Sequence, residues 1–226
     1  MRIEALLPPG NVLAHARRQS LQQGLHLHGR ERDLEQDALA AATHLLGQCG
    51  HAVVAVLDGG LQAWEAAYFP VDQVIPEEPQ LNATPGNITR KPSLVQLVTA
   101  DIVQKYLGHA DKPVVDARAP DRYRGENETL DPVGGHIPGA RNRFFRDNLQ
   151  ADGTYKPAEQ LRADFEAVLA GAKPADVMLQ CGSGVTACHN ALAMDVAGLT
   201  GAALYAGSWS EWCSDPSRPV ATGPNP

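Results

Sequence analysis

The sequence predicts an α/β fold: a parallel sheet flanked by helices, with one complete domain and a partial second one. Three observations carry this reading. Short apolar runs suited to buried strands alternate with segments of helical spacing. A stretch rich in Pro, Asn, Gly and charge divides the chain unequally. A strand–Gly–helix pattern ending in tryptophan occurs twice. Of 226 residues, 43% are hydrophobic and 20% charged, enough apolar material for a buried core. Only 5% are aromatic, so that core must rest on Ala, Val and Leu.

The dividing stretch runs from Gln73 to Pro92 and lacks any apolar period. It sets the boundaries as a shortened domain over 1–72, a linker over 73–93 and a full domain over 94–226. Beyond it, Leu94–Gly108 has helical spacing, with Asp101 an alternative cap for a shorter helix from Ile102. Pro113–Asp116 reads as a short buried strand, followed by a long polar loop. Helical spacing returns over Pro157–Leu169. Asp176–Gln180 is a second strand, Ala187–Ala197 a helix, and Ala203–Tyr205 a third strand. The repeat aligns Val54–Trp64 with Ala202–Trp212. In each copy a strand ends in Gly, a Trp follows five residues later, and Pro-Val closes the unit at Pro70-Val71 and Pro219-Val220. Such matched spacing favours duplication over coincidence.

The formal charge is −7, which suits neither nucleic acid nor an anionic membrane. An anionic substrate must be caught by a local site. No stretch approaches the roughly 18 apolar residues of a membrane span, and no signal-peptide core is recognisable, so a soluble, cytoplasmic protein is expected. The four cysteines (Cys49, Cys181, Cys188, Cys213) show no metal-binding spacing. No metal and no cofactor are expected, and the thiols should be free in a reducing compartment.

Cys181-Gly182-Ser183-Gly184-Val185-Thr186 lies between a strand end and a helix start. Ligands of open parallel sheets bind beyond the carboxyl ends of strands. Two glycines let successive N–H groups curl toward one anion, and the helix adds its positive end. Both effects favour a nucleophilic thiolate at Cys181. The bland alternative is a small core cysteine before a turn.

The segment Cys181–Ala187, CGSGVTA, resembles the active-site loop of the two-domain rhodanese family in its 3-mercaptopyruvate sulfurtransferase form. Asp116-Ala117-Arg118, Arg122-Tyr123-Arg124-Gly125, Gly135–Ala140 and Leu204–Trp212 follow in the family's order from about residue 94 to 223. The resemblance implies a rhodanese-like sheet in which Cys181 takes sulfur from 3-mercaptopyruvate or thiosulfate. Cys181 would hold it as a persulfide and pass it to cyanide or a thiol acceptor. It also implies that Arg122 binds the donor's anionic group and that Ser183 assists mercaptopyruvate. Gly182, Gly184, Val185 and Thr186 would complete the donor site. The thiosulfate branch carries basic residues in this loop; the neutral Gly182 and Ser183 tilt donor choice toward mercaptopyruvate.

Departures from the family pattern are clear. Leu130 stands near the place of a second substrate arginine, and the N-terminal domain is represented only in part. Leu25–His28 is read as replacing one of its strands, Asp37–Gly50 resembles its late helix, and its first half has no counterpart. No His or Asp role is carried over from that half, and the first thirty-odd residues are read as an altered remnant.

Other candidates have plainer readings. Cys188 suits helix packing, His189 a partly exposed helix position, and His136 a loop-fixing role. Trp209 and Trp212 suit packing of the last helix, with the Gly207–Trp209 turn an alternative pocket rim. Arg118 suits an internal ion pair, and His26 with His28 a strand surface. A phosphatase would need Arg where Ala187 stands. A thiosulfate-preferring rhodanese and a catalytically weak sulfur-binding remnant stay open as alternatives.

Overall fold

The computed structural model describes residues 43–71 and 89–226. The readings of Leu25–His28, His26 with His28, and most of the linker fall outside these residues. Residues 43–48 are helical (α1), and a short helix, α2 (Gly60–Ala66), follows. Five parallel strands then form one sheet: β1 (Gln96–Val98), β2 (Val114–Asp116), β3 (Arg141–Asn142), β4 (Met178–Gln180) and β5 (Ala203–Tyr205). Their order is β1-β5-β4-β2-β3, which puts β4 at the centre. The connections carry α3 (Ala100–Lys105), α4 (Pro120–Arg124), α5 (Ala158–Leu169) and α6 (Val185–Val196), and α7 (Ser208–Ser214) follows β5.

The three inner strands, β2, β4 and β5, are buried on both faces, as the interior of a parallel sheet requires. Alternate residues point to opposite sides. Val115, Leu179 and Leu204 join Leu161, Phe165, Leu169, Ala193 and Met194 of α5 and α6 on one side. Val114, Met178 and Tyr205 join Val103 of α3, Tyr123 of α4, and Trp209 and Trp212 of α7 on the other. Truncating either buried tryptophan to Ala should cost about 3–5 kcal/mol.

Three strands, α5 and α6 lie where the sequence places them. The start of the 94–108 segment does not: Gln96–Val98 is an edge strand paired with β5, and the helix begins only after Thr99, whose backbone is extended. The helix-like spacing there comes from two elements abutting. Strand β3 carries no sequence signal of a strand, because Arg141 and Asn142 are polar and half-buried, with no apolar run.

The repeat is visible at atomic detail. Trp64 Nε1 donates to the Pro70 carbonyl at 3.0 Å, and Trp212 Nε1 to the Pro219 carbonyl at 2.9 Å. The aligned residues Gly60 and Ser208 both take left-handed backbone, φ +61° and +54°. No strand is assigned over the described residues 51–57, so only the helix and its closing turn are shared.

Candidate active site

Cys181 directly follows β4, and its backbone leaves the sheet at the carboxyl edge of the central strand. The side chain is 2% exposed. The Gly184 N–H donates to Cys181 Sγ at 3.1 Å. Gly184 can do this because it caps α6 at φ +86°, and a Cβ there would meet the Ala206 carbonyl oxygen at 2.6 Å. Helix α6 thus starts four residues after the sulfur-bearing residue, with the positive end of its dipole at the loop.

The other side of the loop is held by α7. Trp209 N–H donates to the Cys181 carbonyl at 3.0 Å, and Ser210 N–H to the Gly182 carbonyl at 2.9 Å. Buried Ser208 accepts the Cys181 N–H on Oγ at 3.1 Å and donates its proton to the Tyr205 carbonyl at 2.9 Å. Its φ of +54° is strained for a non-glycine residue. The sequence marked this turn only as a rim. The signal for more was the Gly-Ser-Trp triplet at the strand end of the second copy, where the first copy has Gly59-Gly60-Leu61.

Helix α4 brings Arg122 to the loop. A methyl group built on Gly182 would lie 3.5 Å from Nη1 and 3.7 Å from Nη2. Nε and Nη2 donate to the Glu128 carboxylate at 2.8–3.1 Å, and Nη2 to Asp131 Oδ2 at 3.2 Å. The second Asp131 oxygen accepts from the Ser210 hydroxyl at 2.6 Å. Burial pushes the Glu128 carboxyl up. Hydrogen bonds from Arg122 and from the Leu130 and Asp131 N–H groups outweigh this and hold it below the usual range. Neither Glu128 nor Asp131 was singled out from sequence, where they read as ordinary loop charges. Leu130 is 78% exposed and brings no charge to the site.

Around the mouth, Ser183 is exposed, Val185 is 38% exposed and Thr186 is half-buried. Arg118 is the internal partner expected, with Nε and Nη2 on the Asp116 carboxylate and its guanidinium 4.6 Å from the Trp209 ring. His136 fixes its loop: the ring stacks on Tyr123 at 3.8 Å, and its nitrogens meet the Tyr123 and Asn225 carbonyls.

Cys188 is also structural. Its thiol donates to the Gly184 carbonyl at 3.2 Å, and burial, with Cys181 nearby, pushes it up to about 12. His189 corrects the expectation of partial exposure. It is fully buried, stacked on Tyr155, with Nδ1 at 3.4 Å from the Asn148 amide. That partner lies 41 positions away in the chain, where helical spacing cannot reveal it.

With this geometry in place, the comparisons are specific. The profile of the rhodanese-like domain family matches residues 99–215. A Pseudomonas aeruginosa protein named "Probable 3-mercaptopyruvate sulfurtransferase" is 47% identical over 170 residues, 75% of this chain and 58% of its own. The Bos taurus thiosulfate sulfurtransferase is 38% identical over 72% of this chain and 54% of its own. The chain therefore spans little more than half the length of these relatives. Among solved structures, the Tum1 protein of Saccharomyces cerevisiae superposes with TM-score 0.70 at 24% identity, covering 84% of this chain and 67% of that one.

Proposed function

The chain belongs to the family of rhodanese-like domains, and on that premise we propose that it is a sulfurtransferase working through a Cys181 persulfide. The observation that carries this is a buried thiol at the carboxyl end of the central strand. It accepts a loop N–H, with a guanidinium beside the loop. With 3-mercaptopyruvate as donor, the Cys181 thiolate attacks the donor sulfur and the C–S bond breaks. Its electron pair passes to carbon, which takes the thiol proton and leaves as pyruvate. Cyanide or a thiolate then attacks the outer sulfur of the persulfide, and the Cys181 thiolate returns.

In this reading Arg122 holds the donor carboxylate and Ser183, at the open side of the loop, assists mercaptopyruvate. Gly182, Gly184, Val185 and Thr186 shape the donor site. The 94–226 region is the catalytic domain, and the shortened segment before it docks through Asp58, which accepts the Tyr155 N–H at 2.9 Å. Thiosulfate is the second donor, a reading supported by the named activity of the Bos taurus relative. Four unpaired thiols suit a reducing, cytoplasmic setting, and among the described residues no helix is long and apolar enough to cross a membrane. Ala187 is fully buried in the core where a phosphatase of this kind would need Arg.

The test is thiocyanate formation from cyanide with either donor. Cys181→Ser should abolish it, whereas Cys188→Ser should retain most of it. Equal losses in the two variants contradict the assignment of roles.

A further inference from the structure

Two guanidinium groups and three carboxylates are packed beside the Cys181 loop. Arg118 is matched by Asp116 through a two-pronged contact, and its Nη1 lies 3.5 Å from Glu128. Arg122 meets both Glu128 and Asp131. With all five groups ionised, one negative charge is left over. The acids are deeply placed: the side chains of Glu128 and Asp131 are 5% and 8% exposed, against 20% for Arg122. At such sites a charge acts through a lower effective dielectric than at the surface. Nε and Nη2 of Arg122 are committed to these acids. Nη1, the nitrogen nearer Gly182, makes none of these side-chain hydrogen bonds.

We infer that Glu128 and Asp131 set donor choice by charge: they leave Arg122 one uncommitted nitrogen, Nη1, enough for a monoanion, and disfavour a dianion. This rests on the sulfurtransferase reading. Asp131 and Glu128 act through Arg122 and are positioning residues, with no contact to the reacting sulfur. Asp131 also orients the loop, because the Ser210 hydroxyl it accepts belongs to the residue whose N–H holds the Gly182 carbonyl. The site thus disfavours thiosulfate through the charge around its arginine as well as through the neutral Gly182 and Ser183.

Two donors that share the sulfane chemistry and differ by one charge separate this from shape. Thiosulfate, a dianion, loads Cys181 by breaking its S–S bond and releasing sulfite. Methanethiosulfonate, a monoanion, loads it in the same way and releases methanesulfinate. The first readout uses the unaltered protein. The ratio of kcat/KM for thiosulfate to that for methanethiosulfonate should rise with ionic strength, because screening relieves repulsion of the dianion. A ratio that falls with salt means a net positive site and overturns the inference.

The second readout is Asp131→Asn, which keeps an oxygen for Ser210 and removes the charge. It should raise the thiosulfate ratio about tenfold at low salt and flatten its salt dependence. A variant with both features unchanged overturns the inference, while a variant that fails to fold leaves the salt profile to decide. If neither donor loads sulfur on Cys181 in folded protein this inference falls, and if 3-mercaptopyruvate also fails to load it the sulfurtransferase reading falls as well. Loading by both donors with the wrong salt trend sinks the inference alone.

Discussion

Gly184 concentrates two constraints in one residue: a left-handed backbone and no room for a Cβ. Gly184→Ala should therefore cost more than about 2 kcal/mol and lose sulfur loading together with it. Thermal unfolding followed beside persulfide yield checks this, and an unchanged melting temperature contradicts it. Ser208→Ala would leave the buried Cys181 N–H unpaired, at about 1–3 kcal/mol. Arg122 predicts a different kinetic signature. Its replacement by Ala should raise KM for the donor about tenfold or more while kcat changes less. An unaltered KM would remove Arg122 from the donor site. Cys181 and Gly184 were legible from a local pattern, a Cys before Gly-Ser-Gly between a strand end and a helix start, whereas Arg122 came only from the family resemblance and Ser208 only as part of a rim. Glu128 and Asp131 were not legible, because their meaning comes from the partner they share.

At the scale of elements, α6 carries the buried His189 and the partly buried Asp195, two groups with opposed pH behaviour. Burial lowers His189 to about 4. The unfolded chain takes that proton first, so its contribution is intact above about pH 6.5 and lost as pH falls toward 4, about 3 kcal/mol in all. Burial raises Asp195 to about 6. The folded state then holds the proton more tightly, so that contribution is present at low pH and lost as pH rises through 6. The two effects offset each other between pH 4 and 6. Asp195→Asn should remove the cost of a buried carboxylate, raising stability at pH 8 by about 2 kcal/mol with little change at pH 4. It should also steepen the acid loss due to His189. Denaturant unfolding at both pH values decides, and a variant less stable at pH 8 contradicts this account. Elements were readable where one period spanned one element, as in α5. They were misread where Val98 of an edge strand and Ile102 of a helix stand four residues apart and share a helical phase.

At the scale of the whole molecule, the sheet order was out of reach of the sequence because it depends on crossovers between distant segments. The location of the site was legible, since the ends of parallel strands converge wherever the order places β4. The two copies of the Trp–Pro unit sit at opposite ends of the described chain, and each is closed by the same indole-to-carbonyl bond. Asp58 ties the first copy to the 152–155 turn, and its carboxyl is raised by burial despite the Tyr155 N–H it accepts. Asp58→Ala should weaken this contact by about 1 kcal/mol, seen as earlier proteolysis of residues 43–71 while the 94–226 region stays resistant. Simultaneous cleavage of both parts contradicts that division.

The central claim is that sulfur resides on Cys181. Intact mass after incubation with 3-mercaptopyruvate, and separately with thiosulfate, tests it without any acceptor present. Because Cys49 is exposed, the Cys49→Ser background keeps its thiol from adding a second signal. The account predicts a cyanide-labile gain of one sulfur, about 32 Da, that disappears in Cys181→Ser. No gain from either donor in folded protein, or a gain that survives Cys181→Ser, would contradict it.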